Sequence, residues 1–192
     1  MVALPTGPPR PPRPPMARQR VLCTLAVCAA CLLGPAAAAS ACAGSDTPPT
    51  GANVARARSA TLCLINENRA KRDLPRLEAT ASLARAAAAH SRDMASRGFF
   101  SHASPGGSTP RQRIDRAGYL DGASRWTIGE TIAWGSGGMA SPASIVRSWL
   151  QSPGHRAILL DGRFRDVGIG IALGAPQGAG GATFTGNFGA RS

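Results

Sequence analysis

Three histidines are the first candidates for chemistry in this sequence of 192 residues: His90, His102 and His155. His102 comes directly after Phe99-Phe100-Ser101 in a predicted loop. His155 follows Ser152-Pro153-Gly154 and falls in the first turn of a predicted helix. The positive end of a helix disfavours a protonated imidazole, so we expect His155 to be neutral and able to give a lone pair to a metal ion.

A fourth candidate is Glu130, which stands in an otherwise apolar predicted strand. A buried carboxylate needs a partner, and a histidine or an arginine is the natural one. His90 falls on the apolar stripe of a predicted helix, which favours a packed side chain over a ligand. Spacing alone does not bring His102, Glu130 and His155 together, because 28 and 25 residues separate them along the chain.

The local motifs of common hydrolases and nucleotide-binding proteins are missing from the sequence. It contains no His-Glu-x-x-His, no Gly-x-Ser-x-Gly and no glycine-rich phosphate loop. The net charge is +12, but the arginines are scattered along helix faces and are not interleaved with exposed aromatic residues. Net charge alone is a weak signal for nucleic acid, so we expect no nucleic-acid partner.

The first 41 residues are predicted to lie outside the folded domain. Residues 1–15 are crowded with proline, a composition that packs no core. A basic stretch from Met16, the apolar run 21–33 and small residues up to Ala41 then follow in the order of a secretory signal peptide. We expect Met16 to be the true start, with cleavage near Cys42 and export. A membrane anchor is the alternative, although the apolar run is short for a span.

Two cysteines remain once the signal peptide is removed, Cys42 and Cys63. An exported chain with two thiols normally joins them, so we expect a Cys42–Cys63 disulfide. The alternative is a lipid on Cys42 as the first mature residue. Ala39 stands where a lipidation motif usually has leucine, which argues against it.

Periodicity and capping signals predict the elements that must position these residues. The mature chain is long enough for one core, and helices followed by strands mixed with helices indicate an α+β layered domain. An extended lead is expected at 43–53. The predicted helices lie at 54–72, at 81–97 before Gly98, from the Thr109/Gln112 capping box to Gly118, and after Ser141-Pro142 and Ser152-Pro153; the predicted strands lie at 126–134, 166–173 and 182–188.

Six short motifs follow one another in the order seen in bacterial members of the CAP superfamily, the SCP-domain family of cysteine-rich secretory, antigen 5 and pathogenesis-related 1 proteins. The chain resembles this family over residues 60–189. The motifs are Leu64-Ile65-Asn66-Glu67-Asn68-Arg69, Phe99-Phe100-Ser101-His102, Gly118-Tyr119, Gly129-Glu130-Thr131-Ile132-Ala133, Trp149-Leu150-Gln151-Ser152-Pro153-Gly154-His155-Arg156 and Val167-Gly168-Ile169-Gly170.

The resemblance implies an α-β-α sandwich with a central antiparallel sheet and a cleft floored by two histidines and two acids. His102 and His155 match the two histidines, and Glu130 matches the first acid. No acid stands in residues 149–152, where the family has its second. The family's asparagines after the glutamate and after the second histidine are Thr131 and Ile158 here.

We therefore expect residues 1–41 to form an extension plus signal peptide, 42–59 a lead and the start of the first helix, and 60–190 the CAP domain. The expected mature protein is a secreted or outer-envelope monomer with no membrane span. Its cleft of His102, Glu130 and His155 would bind Zn²⁺ or another divalent cation through the two imidazoles, together with an unidentified extracellular or envelope ligand.

Two alternatives remain open from the sequence. One is a secreted hydrolase, either metal-assisted or with Ser101 or Ser152 as a nucleophile beside a histidine. The other is lipid or sterol binding, as the resemblance to eukaryotic members allows.

Overall fold

Five α-helices and four β-strands make up residues 42–192, the part of the chain that the computed structural model describes. The expected extension and signal peptide, residues 1–41, lie outside these described residues. A short 3₁₀ helix, Gly137–Ala140, follows the second strand. In chain order the elements are α1 (Val54–Ala70), β1 (Glu78–Ala79), α2 (Ala81–Arg97), α3 (Pro110–Arg116), β2 (Trp126–Gly135), α4 (Pro142–Gln151), α5 (Pro153–Leu159), β3 (Asp166–Ala175) and β4 (Gly178–Arg191).

The strands form one sheet in the order β1-β3-β4-β2. The three long strands are antiparallel, and β4 pairs along its length with β3 on one side and with β2 on the other. In this register Glu130 of β2 lies opposite Asn187 of β4. The two-residue strand β1 runs parallel to β3, so the sheet is mixed. Strand β2, which carries Glu130, is the edge strand on one side of the sheet.

Helices cover both faces of the sheet and confirm the expected α-β-α sandwich. Helices α1, α4 and α5 pack on one face over the larger core cluster, which includes Ile65, Trp149 and Phe184. Helices α2 and α3 lie on the other face over a smaller cluster that includes Leu83 and Ile114. None of the helices within residues 42–192 is long and apolar enough to cross a membrane.

Helix α2 lies directly on strand β3 because two glycines remove the side chains between them. A Cβ atom on Gly168 would lie 2.1 Å from the backbone nitrogen of Ala84, and one on Gly170 would lie 2.2 Å from the carbonyl carbon of Ala87. These neighbours are helix backbone and cannot move aside without shifting the whole helix. The close approach fixes the height of α2 above the sheet, and with it the position of His90.

Local signals in the sequence are confirmed at several helix ends. Gly98 ends α2 in the left-handed conformation at φ 67°. Thr109 and Gln112 form the expected capping box at the start of α3. Helix α1 ends at Ala70, two residues before the expected end.

Other segments differ from the expectation. Strands β3 and β4 reach Ala175 and Gly178, because most of the glycine-rich segment between them joins the ladder and only a two-residue turn remains. The lead before α1 contains turns and is not a simple extended strand. The short strand β1 was not predicted from the sequence.

The expected disulfide between Cys42 and Cys63 is confirmed. The two Cα atoms lie 5.5 Å apart, and 21 positions separate the cysteines along the chain. The bond ties the lead to the third turn of α1, so the first described residue is held against the domain. In the chain-entropy description a loop of this length stabilises the fold by about 3 kcal/mol.

Candidate functional site

Glu130 is the centre of a buried polar network beside the sheet edge. Its side chain is only 2% exposed, and it projects from β2 toward the α2 side of the sheet. Nη2 of Arg113 lies 3.0 Å from Oε1 and 2.8 Å from Oε2 of this carboxylate. The expectation that a buried Glu130 has a histidine or arginine partner is confirmed. The positive charge of Arg113 balances the negative charge of the Glu130 carboxylate.

Arg113 was not recognised as a site residue in the sequence. It belongs to the short helix α3, where the capping box at Thr109 sets the position of the first turn. Its guanidinium also donates to the carbonyl oxygens of Ser108 at 2.7 Å and of His102 at 2.8 Å. Arg113 therefore holds Glu130 and the loop that carries His102 at the same time.

Asn187 is the second residue that the sequence analysis missed. It lies opposite Glu130 in the β2–β4 register and is completely buried. In the amide orientation that satisfies both ends, its nitrogen donates to Glu130 Oε2 at 3.1 Å and its oxygen accepts from the Ala87 amide at 3.1 Å. Each carboxylate oxygen of Glu130 is therefore engaged by protein donors.

His102 makes direct contact with Glu130. Nδ1 of His102 lies 2.9 Å from Oε1 of Glu130, and the imidazole side chain is half exposed. A carboxylate can only accept, so Nδ1 carries the hydrogen in this bond. The neutral ring then has its lone pair on Nε2, which has no hydrogen-bond partner within residues 42–192. The pair is a histidine oriented by a buried carboxylate.

His155 reaches the same region from the opposite layer of the sandwich. Helix α5 packs against β2 next to Glu130, since a Cβ atom on Gly129 would lie 3.0 Å from Ile158. Burial lowers the pKa of His155, and the nearby His102 lowers the pKa further by charge repulsion. The neutral form expected from the sequence is thus favoured, with burial as the leading cause.

His90 is a packed histidine, as its apolar stripe indicated. It is fully buried, and its Nε2 lies 3.0 Å from the carbonyl oxygen of Ser101. Donation to that carbonyl leaves Nδ1 as the unprotonated nitrogen, and this atom has no partner among the described residues. Burial is the main cause that lowers the pKa of His90, and Arg113 adds to it, although Glu130 Oε1 at 3.9 Å opposes the shift.

A three-ligand metal site is not assembled by the candidate residues. Within residues 42–192, one group of three potential ligands lies within 4.8 Å of one another, namely Cys42, Cys63 and Glu67. Its two sulfurs are joined in the disulfide, so this group is not a metal site. In the candidate cleft, both carboxylate oxygens of Glu130 are bound by Arg113 and other protein groups. The side chains left to give a lone pair to a metal ion are the imidazoles of His102 and His155.

Neither candidate serine has the geometry of an activated nucleophile. Ser101 Oγ accepts a hydrogen bond from the amide of Ala103 at 3.3 Å. Ser152 is the residue before α5, and its side chain makes no capping bond. Among the described residues, no imidazole hydrogen-bonds to the hydroxyl of Ser101 or Ser152.

The segment where the resemblance places the family's second acid performs a packing role in this chain. Trp149 is 1% exposed in the larger core cluster. Its Nε1 donates to the carbonyl oxygen of Ile132 at 3.1 Å, across to the edge strand β2. This part of α4 supports the strand that carries Glu130 and supplies no carboxylate to the cleft.

Two relatives from Bacillus subtilis cover part of the chain. It is 34% identical to the protein YkwD over 107 residues, which are 56% of this chain and 39% of YkwD. It is also 34% identical to the membrane protein YlbC over 110 residues, which are 57% of this chain and 30% of YlbC. The chain therefore spans well under half the length of these curated relatives.

Solved structures share the fold. An extracellular SCP-domain protein from Bacillus anthracis aligns with a TM-score of 0.57 and 28% identity over 73% of this chain and 44% of that chain. An outer surface protein from Borrelia burgdorferi aligns with a TM-score of 0.57 and 24% identity over 68% of this chain and 90% of that chain. At this lower identity the second likeness concerns the fold alone.

The sequence pattern of one family spans most of the described domain. It is CAP, the cysteine-rich secretory protein family, and it matches residues 62–188. The matched segment includes strands β2 and β3, strand β4 as far as Phe188, and the residues of the Glu130 network. The chain belongs to the CAP family of cysteine-rich secretory proteins.

Proposed function

We propose that this protein is an exported CAP-domain binding protein whose cleft takes up a divalent cation, Zn²⁺ or a related ion, through His102 and His155. The observation that carries the proposal is the hydrogen bond from His102 Nδ1 to Glu130 Oε1. A carboxylate behind a histidine fixes the ring orientation and raises the basicity of the other nitrogen, a common arrangement around metal ligands. Glu130 thus prepares Nε2 of His102 to give its lone pair to a metal ion.

The donor set fits a cation that accepts imidazole nitrogen. Zn²⁺, Cu²⁺ and Ni²⁺ do so, whereas Mg²⁺ and Ca²⁺ prefer oxygen ligands. The lowered pKa of His155 keeps its ring in the neutral form that coordination requires. Glu130 is balanced by Arg113 and acts behind His102. Two protein ligands would leave positions for solvent and for a ligand group, which a bound cation would polarise as a Lewis acid.

Binding is favoured over catalysis by what surrounds the two imidazoles. The acid that the family carries on the helix before His155 is missing, and the described serines lack an imidazole partner. The Glu130–His102 pair is nevertheless the kind of oriented histidine that can accept a proton from water. A metal-assisted hydrolase is therefore the alternative, and turnover of a peptide, ester or glycan library in the presence of Zn²⁺ would favour it.

Export is part of the proposal. The disulfide supports it, since such bonds persist in oxidising compartments. The similarity to an extracellular SCP-domain protein also supports it. The ligand would then be an extracellular or envelope molecule. N-terminal sequencing of the protein recovered outside the cell should give a start near Cys42; recovery with residues 1–41 intact would contradict cleavage.

The cation is tested by calorimetric titration of the exported protein with Zn²⁺. Single His102→Ala and His155→Ala variants should lose most of the affinity. The matched control is His90→Ala, which also removes an imidazole but from a buried position, and should bind Zn²⁺ as the wild type does. Equal binding by the wild type and the His102→Ala/His155→Ala double variant would make the cluster a structural feature. Absence of binding by the wild type would overturn the cation proposal.

A further inference from the structure

A groove with a volume of about 610 Å³ lies beside the Glu130 network, between α2 and α3. Its lining includes four arginines: Arg85, Arg97, Arg113 and Arg116. We call it the arginine groove. Its lining includes neither His102 nor His155, so it is distinct from the proposed cation cleft. The two share a wall, because Arg113 lines the groove and also holds Glu130.

We propose that the arginine groove binds an extended acidic peptide segment of a partner protein, through the carboxylates of that segment. The groove follows one face of α2, where Arg85, Asp93 and Arg97 recur at intervals of four or eight residues. The twelve steps along the helix from Arg85 to Arg97 correspond to about 18 Å at ~1.5 Å per residue. That length matches about five residues of extended peptide.

Two of the four guanidiniums have no carboxylate partner within residues 42–192. Arg97 pairs with Asp93 at 3.3 Å, and Arg113 pairs with Glu130 at 2.8 Å. Arg85, by contrast, donates only to the carbonyl oxygen of Ala117 at 2.9 Å, and Arg116 donates to the hydroxyl of Ser108. A guanidinium has five N–H donors, so both keep several donors for a ligand. Arginine suits this role because its planar fork matches a carboxylate.

The rest of the lining favours a peptide over other polyanions. The lining contributes small apolar surfaces from Ala86, Ala89 and Ala117, it contains no phenylalanine, tyrosine or tryptophan, and the imidazole of His90 is fully buried. Sugar rings and nucleic-acid bases commonly stack on aromatic side chains, and that contact is not offered here. A peptide can present carboxylates to the arginines and small side chains to the alanines.

The chain itself does not supply an occupant. Residues 1–41 contain no aspartate or glutamate. A second copy would bring a net charge of +12, or +8 without the four arginines of residues 1–41, against a positive groove, and like charges oppose that association. The complementary partner is therefore an acidic segment of another protein.

Fluorescence polarisation of a labelled Glu-Ala-Glu-Ala-Glu peptide with the full chain tests the proposal. We expect saturable binding that weakens as salt is raised, because exposed ion pairs are screened. The Arg85→Glu/Arg116→Glu variant should lose at least tenfold in affinity. The matched control is Arg72→Glu/Arg76→Glu, which makes the same change in net charge at two exposed sites after the end of α1 and should bind like the wild type.

Equal losses in the two charge-reversed variants would mean that the peptide responds only to net charge, and would overturn the site. Two further probes test whether the groove recognises something other than the carboxylates of a peptide. A Gln-Ala-Gln-Ala-Gln peptide should not bind, and its binding would overturn the carboxylate recognition. If a galacturonate oligomer bound tenfold more tightly than the acidic peptide, the proposal of a peptide ligand would be wrong, and the ligand class would be an acidic polysaccharide. The neutral Arg85→Gln/Arg116→Gln variant repeats the test if charge reversal prevents folding, and Zn²⁺ titration of the same variants should be unchanged.

Discussion

Nδ1 of His102 lies 2.9 Å from Oε1 of Glu130, although 28 residues separate the two along the chain. The contact joins the loop after α2 to the edge strand of the sheet. Arg113 completes the joint, since it binds the Glu130 carboxylate and the His102 carbonyl oxygen together. The half-exposed His102 is therefore positioned by the buried Arg113–Glu130 ion pair, and the geometry of the site depends on the stability of that pair.

The first prediction is that Glu130→Gln destabilises the fold by about 3 kcal/mol or more. The substitution keeps the size of the side chain but leaves the buried Arg113 without its counter-charge, and breaking one side of a buried pair costs about 3–5 kcal/mol. The free energy of unfolding in urea measures the loss. In the Glu130→Gln/Arg113→Gln double variant the loss should be smaller than the sum of the two single losses. Strict additivity would show that the pair is not coupled.

The second prediction concerns the pH dependence of stability through His90. Burial lowers the pKa of His90 below its ordinary value of about 6.5, so at pH 5–6 the unfolded chain binds a proton that the folded chain resists. Stability should therefore fall as the pH drops below about 6.5 and be unaffected by this group at higher pH. His90→Gln cannot take up that proton, and its urea-unfolding free energy should change less between pH 7 and pH 5. Parallel pH profiles for the two proteins would contradict the assignment.

Local chemistry predicts some of these features from the sequence alone. The capping box of Thr109 and Gln112, and the end of α2 at Gly98, are fixed by residues a few positions apart, and both were predicted correctly. The disulfide was also predictable, because two cysteines remain once the expected signal peptide is set aside. The histidine positions in the cleft came from the family resemblance, since their spacing carried no signal by itself.

The partners of Glu130 could not be named in the same way. Arg113 meets it only because α3 is folded over the sheet, seventeen residues earlier in the chain. Asn187 meets it because of the β2–β4 register, and strand periodicity does not fix which residues face each other across strands. A need for a partner was visible in a carboxylate within an apolar strand; the identity of the partner is a property of the tertiary structure.

The third prediction is that Gly170→Val destabilises the protein by about 3 kcal/mol. A Cβ atom at this position would lie 2.2 Å from the carbonyl carbon of Ala87, and backbone cannot rotate away as a side chain can. The matched control is Gly154→Ala in α5, where a Cβ atom meets nothing within 4 Å. That substitution should be neutral or stabilise by up to about 1 kcal/mol. Thermal unfolding of both variants decides the point, and a Gly170→Val protein as stable as the wild type would mean that α2 can lift from β3.

The last prediction is that Zn²⁺ affinity falls as the pH drops and that binding releases protons. A cation and a proton compete for the same imidazole lone pair, so affinity should decline through the range where imidazoles protonate, near ~6.5 for an exposed ring. The lowered pKa of His155 means that competition at this ligand begins below that value. Calorimetric titration at pH 7.5 and pH 5.5, in two buffers of different ionisation enthalpy, measures affinity and proton release together. Equal affinity at the two pH values without proton release would show that the cation binds away from His102 and His155.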